Sequence, residues 1–357
     1  MRVFITGTSG YIGGMLVDRF LEDGVAEKIV ALDMKPPPDG KKPGFLEVSK
    51  PGFEESGGFF PPGGKVSFIT HNLGDPGWEE KVLVHGVPDV VIHCAYVIRE
   101  GYGKKRIWQI KSNIAAAERV FDFVFKNKIQ RLIHFSTVAS YGALLTNSTA
   151  RKFREDDPFL ESRYLYGVDK KVIEDKLKTA FNVSSFKPQV LVVRPCAVTG
   201  PRGQFMFKRF GLLQMVKYGF PIVPITGLDS ARQYVHEDDV WEAIRMMARG
   251  TIGGNYEVFN LAPPDFLLLK DMARDIGKAS IRVPVFLGKL AFGAMWHLSR
   301  GRIPTVPAGI NSYTYPIIAD GSKITRFGFK YQYSAREALK ADCGYYALDK
   351  NNRLAKM

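Results

Sequence analysis

The chain has 357 residues, 45% of them apolar, enough for one large soluble domain or a core domain with a smaller companion. Its net charge of +14 favours anionic partners such as phosphorylated substrates or acidic membrane surfaces. The one dense basic cluster, Lys104-Lys105-Arg106, has no nucleic-acid-binding motif beside it, so no nucleic-acid partner is expected.

In chain order, MRVFITGTSGYIGG (1–14) runs from an apolar strand pattern directly into glycines, which reads as a first strand rather than a signal peptide. Gly7, Gly10 and Gly13 then fall at a strand-to-helix junction, where glycine permits a sharp turn and the close approach of a pyrophosphate to a helix N-terminus. The second strand, KIVALD (28–33), ends at Asp33, 20 residues after Gly13. An acid there accepts hydrogen bonds from ribose hydroxyls and repels a 2′-phosphate, favouring NAD over NADP, with Lys35 working against that preference. Residues 36–64 hold seven prolines and seven glycines, so a helix is excluded and a long loop is expected, with a lid over the adenosine end of the cofactor as its candidate role.

Further strand patterns are VSFIT (66–70), VVIHCA (90–95), RLIHFST (131–137), VLVVRP (190–195) and YEVFNLA (256–262). They alternate with stretches of helical length and several are apolar at nearly every position. Both features predict an α/β chain with a doubly wound parallel sheet covered on both faces. Ser136 and Thr137 close one of these strands at the end where open α/β sheets bind ligands. In SRYLYGVDKK (162–171), Tyr166 and Lys170 stand four apart and share one helical face. Cys94, Cys196 and Cys343 form no CxxC, and the six histidines lack ligand spacing, so neither disulfides nor a metal site are expected and a reducing cytoplasm fits.

Taken together, TGTSGYIG (6–13), Asp33, VIHCA (91–95), Asn113, STVASYG (136–142), YGVDK (166–170), RPCAVTGP (194–201) and YVHEDDV (234–240) resemble the extended short-chain dehydrogenase/reductases of the NAD-dependent epimerase/dehydratase family. The resemblance implies a Rossmann domain of residues 1–200 plus about 232–262, and a smaller C-terminal α/β substrate domain of about 201–231 plus 263–357. It implies Tyr166 as general acid/base, Lys170 as its electrostatic partner and ligand of the nicotinamide ribose, and Thr137 as the hydroxyl that holds the substrate oxygen. Gly7, Gly10, Tyr11, Ile12 and Gly13 are expected at the pyrophosphate and Asn72 and Leu73 at the adenine. Cys94, Ala95, Asn113, Ser136 and Pro195 are expected along the cofactor path. A homodimer through the helices near 105–127 and 164–180 is implied as well. The chemistry is proton movement on a secondary alcohol or ketone while hydride passes to or from the nicotinamide, and no metal is needed.

Three positions bear on the substrate: Tyr96, Ala197 and Arg232. Relatives acting on nucleotide sugars carry an asparagine where Ala197 stands, and its absence favours a bulky, partly apolar ketone such as a lipid, sterol or ketosphingolipid. Arg232 matches an arginine that binds substrate phosphates and points to the runner-up, a nucleotide-sugar 4-epimerase; an ion pair with Asp229 is the structural alternative. Val138, where dehydratases place an acid, counts against that subclass. The intact Thr137, Tyr166 and Lys170 set argues against a non-catalytic dinucleotide sensor or scaffold. Residues 283–302 are apolar on most faces and too short to span a bilayer, leaving a packed helix or an interfacial one in peripheral membrane contact.

Overall fold

The computed structural model describes residues 1–36, 64–206, 221–227, 230–250 and 252–347. All seven expected strands form one parallel sheet: β1 (Arg2–Thr6), β2 (Lys28–Asp33), β3 (Val66–Thr70), β4 (Val90–His93), β5 (Arg131–Phe135), β6 (Gln189–Pro195) and β7 (Tyr256–Leu261). Their spatial order is β3-β2-β1-β4-β5-β6-β7. The chain builds outward in both directions from the β1–β4 pair, and the crevice at such a switch point is where open α/β sheets bind ligands.

The apolar runs have a direct reason. Successive strand residues point to opposite faces, so burial of consecutive residues requires cover on both sides. Val3 and Ile5 of β1 join one core, with Met15, Leu16 and Phe20 of helix α1 (Tyr11–Asp23) and Val240, Trp241 and Ile244 of the helix Glu237–Arg249. Phe4, between them, joins the other, with Trp78, with Val120, Phe121 and Val124 of helix Lys104–Lys126, and with Ile173 and Leu177 of helix Leu165–Val183. The same alternation splits Ile29 and Ala31 from Val30 and Leu32.

Two expected strands stop short. Pairing ends at His93 and at Phe135, so Cys94, Ala95, Ser136 and Thr137 lie just beyond the strand ends, at the crevice. The Pro/Gly-rich segment lies outside the described residues except for its ends, Pro36 and Gly64, and so does its candidate role as a lid.

Beyond the sheet, three short ladders pair Ala197–Thr199 with Tyr234–His236, Ala231–Arg232 with Leu267–Leu268, and Ile222–Ile225 with Ala279–Arg282. A third core gathers Val223, Ile225, Leu267, Met272, Ile310, Tyr313 and Leu339. Long-range pins join it to the sheet. Buried Gln233 donates to the Pro263 and Ala319 carbonyls and accepts from the Ala319 amide, at 2.9, 3.0 and 2.7 Å. Phe153 bonds Ile318 and Asp320 through its backbone. Among the described residues no helix is long and apolar enough to cross a membrane, and no group of three or more His, Cys, Asp or Glu side chains could hold a metal. The three cysteines are free thiols.

Candidate active site

The turn after β1 is shaped by close backbone approach. Gly7 has φ +76°, and a Cβ there would lie 2.7 Å from the Ala95 backbone; a Cβ on Gly13 would run into the Gly7 carbonyl. Only glycine fits either position. Gly7 N–H bonds the Leu32 carbonyl at 2.8 Å and Gly10 N–H the Gly7 carbonyl at 3.0 Å, which fixes the turn. Helix α1 begins behind Gly10 without a side-chain cap, so its first amides and its positive end face the crevice. Asp33, at the tip of β2, accepts from Ser9 N–H and Lys35 N–H at 3.0 Å each, so each carboxylate oxygen has one of its lone pairs used by the turn. The Thr8 and Ser136 hydroxyls are buried without a hydrogen-bond partner among the described residues. A glycine cradle, a free helix N-terminus, an acid at the second strand tip and two unpartnered hydroxyls fit the pyrophosphate and ribose of a dinucleotide.

Two positions behave differently from a direct contact. The Tyr11 phenol donates to the buried Glu237 carboxylate, and Glu237 also accepts from Arg202 N–H and Gly203 N–H; only the Tyr11 backbone stands at the start of α1. Asn113 accepts from Val97 N–H at 2.9 Å and donates to the Val97 carbonyl, so its amide braces the loop after β4. Asn72 folds into its own turn, bonding Gly74 N–H and Asp75, while Leu73 is buried in the second core beside Trp78.

Across the crevice, Thr137 caps the short 3-10 turn Val138–Tyr141, its Oγ1 accepting from Ala139 N–H at 3.1 Å. The hydroxyl proton is thereby left for another acceptor. Helix Leu165–Val183 packs its first turn on this segment: Ser140 Oγ donates to the Gly167 carbonyl at 2.9 Å, and a Cβ on Gly167 would lie 2.9 Å from the Ala139 carbonyl. The glycine of YGVDK therefore sets how close Tyr166 comes to Thr137. Burial raises the Tyr166 phenol above its ordinary value, and its hydrogen bond with Thr137 opposes that rise.

Lys170, one turn further on, is 3% exposed and donates to the Phe135 carbonyl at 2.6 Å. Burial pulls its ammonium down to about 8, opposed by Cys94, Glu174 and Asp169. Its Nζ lies 4.5 Å from the Tyr96 ring centre, and that ring meets Tyr166 edge to face at 5.3 Å. The Tyr96 hydroxyl donates to Asp169 at 3.1 Å. His93 and His134 lie under this group, stacked 5.3 Å apart; burial pushes His93 down to about 3 and His134 well below its usual value, so both are neutral.

Tyr164, Tyr234 and Tyr313 neighbour Arg232, whose guanidinium carbon lies 5.9 Å from the Tyr313 ring centre. Burial lowers the Arg232 guanidinium, and the groups opposing this are the phenols of Tyr234, Tyr313 and Tyr164. Among the described residues no carboxylate pairs with it; Asp229, the partner in the alternative ion-pair reading, lies outside them. Ala197 is exposed and Pro195 buried on β6.

Sequence reasoning missed Asp169 and Glu100. Asp169 sits inside the quoted YGVDK motif but reads there as a surface acid beside lysine; it is 2% exposed, raised by burial and held down by Tyr96, Arg106, Asn113 and Lys170. Glu100 lies on the loop braced by Asn113 and Gln109. One of its oxygens pairs with Arg106 at 3.2 Å, and the other is buried with no hydrogen-bond partner among the described residues. No local pattern announces it.

The matches to known proteins agree with this geometry. Residues 3–262 match the model of the NAD dependent epimerase/dehydratase family. A putative UDP-arabinose 4-epimerase of Arabidopsis thaliana is 31% identical over 180 residues, which is 49% of this chain and 37% of that protein; the match to a second such plant protein spans 32% of its length. A UDP-D-apiose/UDP-D-xylose synthase of Oryza sativa is 24% identical, over 74% of this chain and 69% of its own. Among solved structures, the UDP-glucose 4-epimerase of Thermotoga maritima with UDP-glucose superposes with TM-score 0.66 at 20% identity, covering 96% of this chain and 97% of its own. The UDP-glucuronic acid 4-epimerase of Bacillus cereus with UDP-glucuronic acid and NAD gives 0.67 at 19%, covering 98% and 100%. At such identities the superpositions speak for the fold.

Proposed function

Because this chain belongs to the NAD dependent epimerase/dehydratase family, we propose that it is a nucleotide-sugar 4-epimerase that uses NAD. NAD, when bound, supplies the hydride acceptor and donor. The protein's own part is binding, orientation and proton transfer. Gly7, Gly10, Gly13 and the first amides of α1 hold the pyrophosphate, and Asp33 takes the adenosine ribose. Tyr166 removes the proton from the sugar hydroxyl and returns it when the carbonyl is reduced again. Two neighbours make its phenolate accessible: the Lys170 ammonium one turn away, and the Thr137 hydroxyl, which already accepts from Ala139 and is free to donate.

The single observation that carries the substrate class is Arg232. A half-buried arginine near three phenols, with no carboxylate partner among the described residues, is the fork-shaped donor that a diphosphate fits. The names of the relatives, UDP-sugar epimerases and synthases, support the same class. This reverses the order in which the sequence ranked the substrates: Ala197 favoured a bulky apolar ketone, and that reading is now second, supported by the exposed apolar position at Ala197. The division into a cofactor domain and a substrate domain belongs to the same proposal, as does a homodimer through helices Lys104–Lys126 and Leu165–Val183, the former carrying exposed Ile107 and Trp108.

The test is incubation of the purified chain with NAD and a panel of UDP-pentoses, UDP-hexoses and UDP-uronic acids, with C4 epimers resolved by chromatography. A 4-epimer from one of them is expected, with Arg232→Leu raising KM by about 10–100-fold and changing kcat less. Turnover of sterol or sphingoid ketones with no epimer formed would replace this reading by the second.

A further inference from the structure

The helix Val285–Leu298 is apolar almost throughout, interrupted by Lys289 and His297, yet only Gly288 and Trp296 are buried in it. These two mark its inner side. Gly288 lies against Thr226, Phe292 stacks toward Tyr313 at 6.4 Å, and Trp296 meets Tyr102 at 5.8 Å. The opposite stripe faces out: Phe286, Leu290 and Leu298 are 62%, 65% and 87% exposed, with Leu287 beside them and Ile281 on the neighbouring strand. A contiguous exposed apolar face of this kind marks a contact surface.

Charge identifies the partner. No residue between Asp275 and Asp320 is acidic, while Lys278, Arg282, Lys289, Arg300 and Arg302 are all basic. Arg282, Lys289, Arg300 and Arg302 are exposed around the apolar stripe. Two copies of the chain meeting here would bring like charges together, on a protein whose net charge is already +14. An anionic bilayer satisfies both halves of the surface, taking the apolar side chains among its acyl chains and the cations at its headgroups.

We propose that the Val285–Leu298 helix docks the protein on anionic membranes, lying in the interface with Phe286, Leu290 and Leu298 inserted. The contact is peripheral, and it stands independently of the substrate reading. It also borders the active site: Arg99 donates to the Gly301 and Arg302 carbonyls, and Tyr102 bonds His297, from the same loop that carries Glu100. Docking therefore sets the loop that carries Glu100 next to the lipid surface.

Vesicle flotation of the purified full chain tests this, using phosphatidylcholine vesicles with and without phosphatidylglycerol. Co-flotation is expected with the anionic vesicles, weakening as salt is raised. The Phe286→Glu/Leu290→Glu variant should lose at least about tenfold in partition, and Arg282→Gln and Lys289→Gln on the order of fivefold each. Retained NAD-induced thermal stabilisation shows that the variants fold. Absence of flotation, equal flotation with neutral vesicles, or undiminished flotation of the double variant would overturn the proposal. So would a double variant whose main change is a smaller sedimenting mass, which would assign the face to a second copy.

Discussion

Strand β1 and the helix Val285–Leu298 are both written in apolar residues, and they meet opposite fates. Val3, Phe4 and Ile5 are 0% exposed, whereas Phe286 and Leu290 are more than half exposed. A central strand is covered on both faces by the helices of its own crossovers, so an apolar run there is consumed by the fold. The helix, at the edge of a small third core, finds cover on one side only. Apolar sequence thus states that a surface must be covered, and topology decides whether the chain itself supplies the cover.

The same contrast separates the two cores that flank the sheet from the smaller third core, and graded substitutions test it. The largest effect belongs to Tyr166→Phe, which deletes one oxygen from a helix whose packing is otherwise intact. Turnover should fall by about a thousandfold while NAD affinity, read by thermal shift, stays close to wild type. Gly7→Ala acts on the turn after β1, since its φ is positive and the new methyl meets the Ala95 backbone. NAD affinity should drop by about 10–100-fold in calorimetric titration, a strain of a few kcal/mol; unchanged affinity would show that the turn yields.

Gln233→Ala probes the pins between the sheet and the third core. It strips three hydrogen bonds from buried backbone groups of Pro263 and Ala319, and about 2–4 kcal/mol of unfolding free energy should be lost in urea titration. The smallest effect is a pH dependence. Lys170 is lowered by burial from 10.5 to about 8, so between those values the folded protein binds fewer protons than the unfolded chain and this group's penalty shrinks as pH rises. Below about 8 the penalty is complete. Lys170→Met should therefore raise Tm most at pH 7, with the gap to wild type narrowing toward pH 10; a gap that widens with pH would contradict the buried charge.

Much of this was legible beforehand. The seven strand runs, the glycine turn and the shared helical face of Tyr166 and Lys170 follow rules that act within a few residues. Strand ends were less legible, because pairing stops where the neighbouring strand stops. The functions of Tyr11 and Asn113 were harder still: both side chains serve distant partners, Glu237 and Val97, whose positions no nearby residue announces.

By itself the sequence determined the doubly wound sheet, the glycine turn after β1 and the common helical face of Tyr166 and Lys170, since periodicity, glycine sterics and helical spacing are properties of short stretches of chain. Only the tertiary structure decided that Arg232 lacks a carboxylate partner among the described residues, that Asp169 and Glu100 are buried, and that one apolar helix faces outward. The physical reason is that burial and charge pairing are set by what the rest of the chain brings alongside. Here that meant segments far apart in the chain, such as Tyr164 brought near Arg232, and Arg99 bonded to the Arg302 carbonyl.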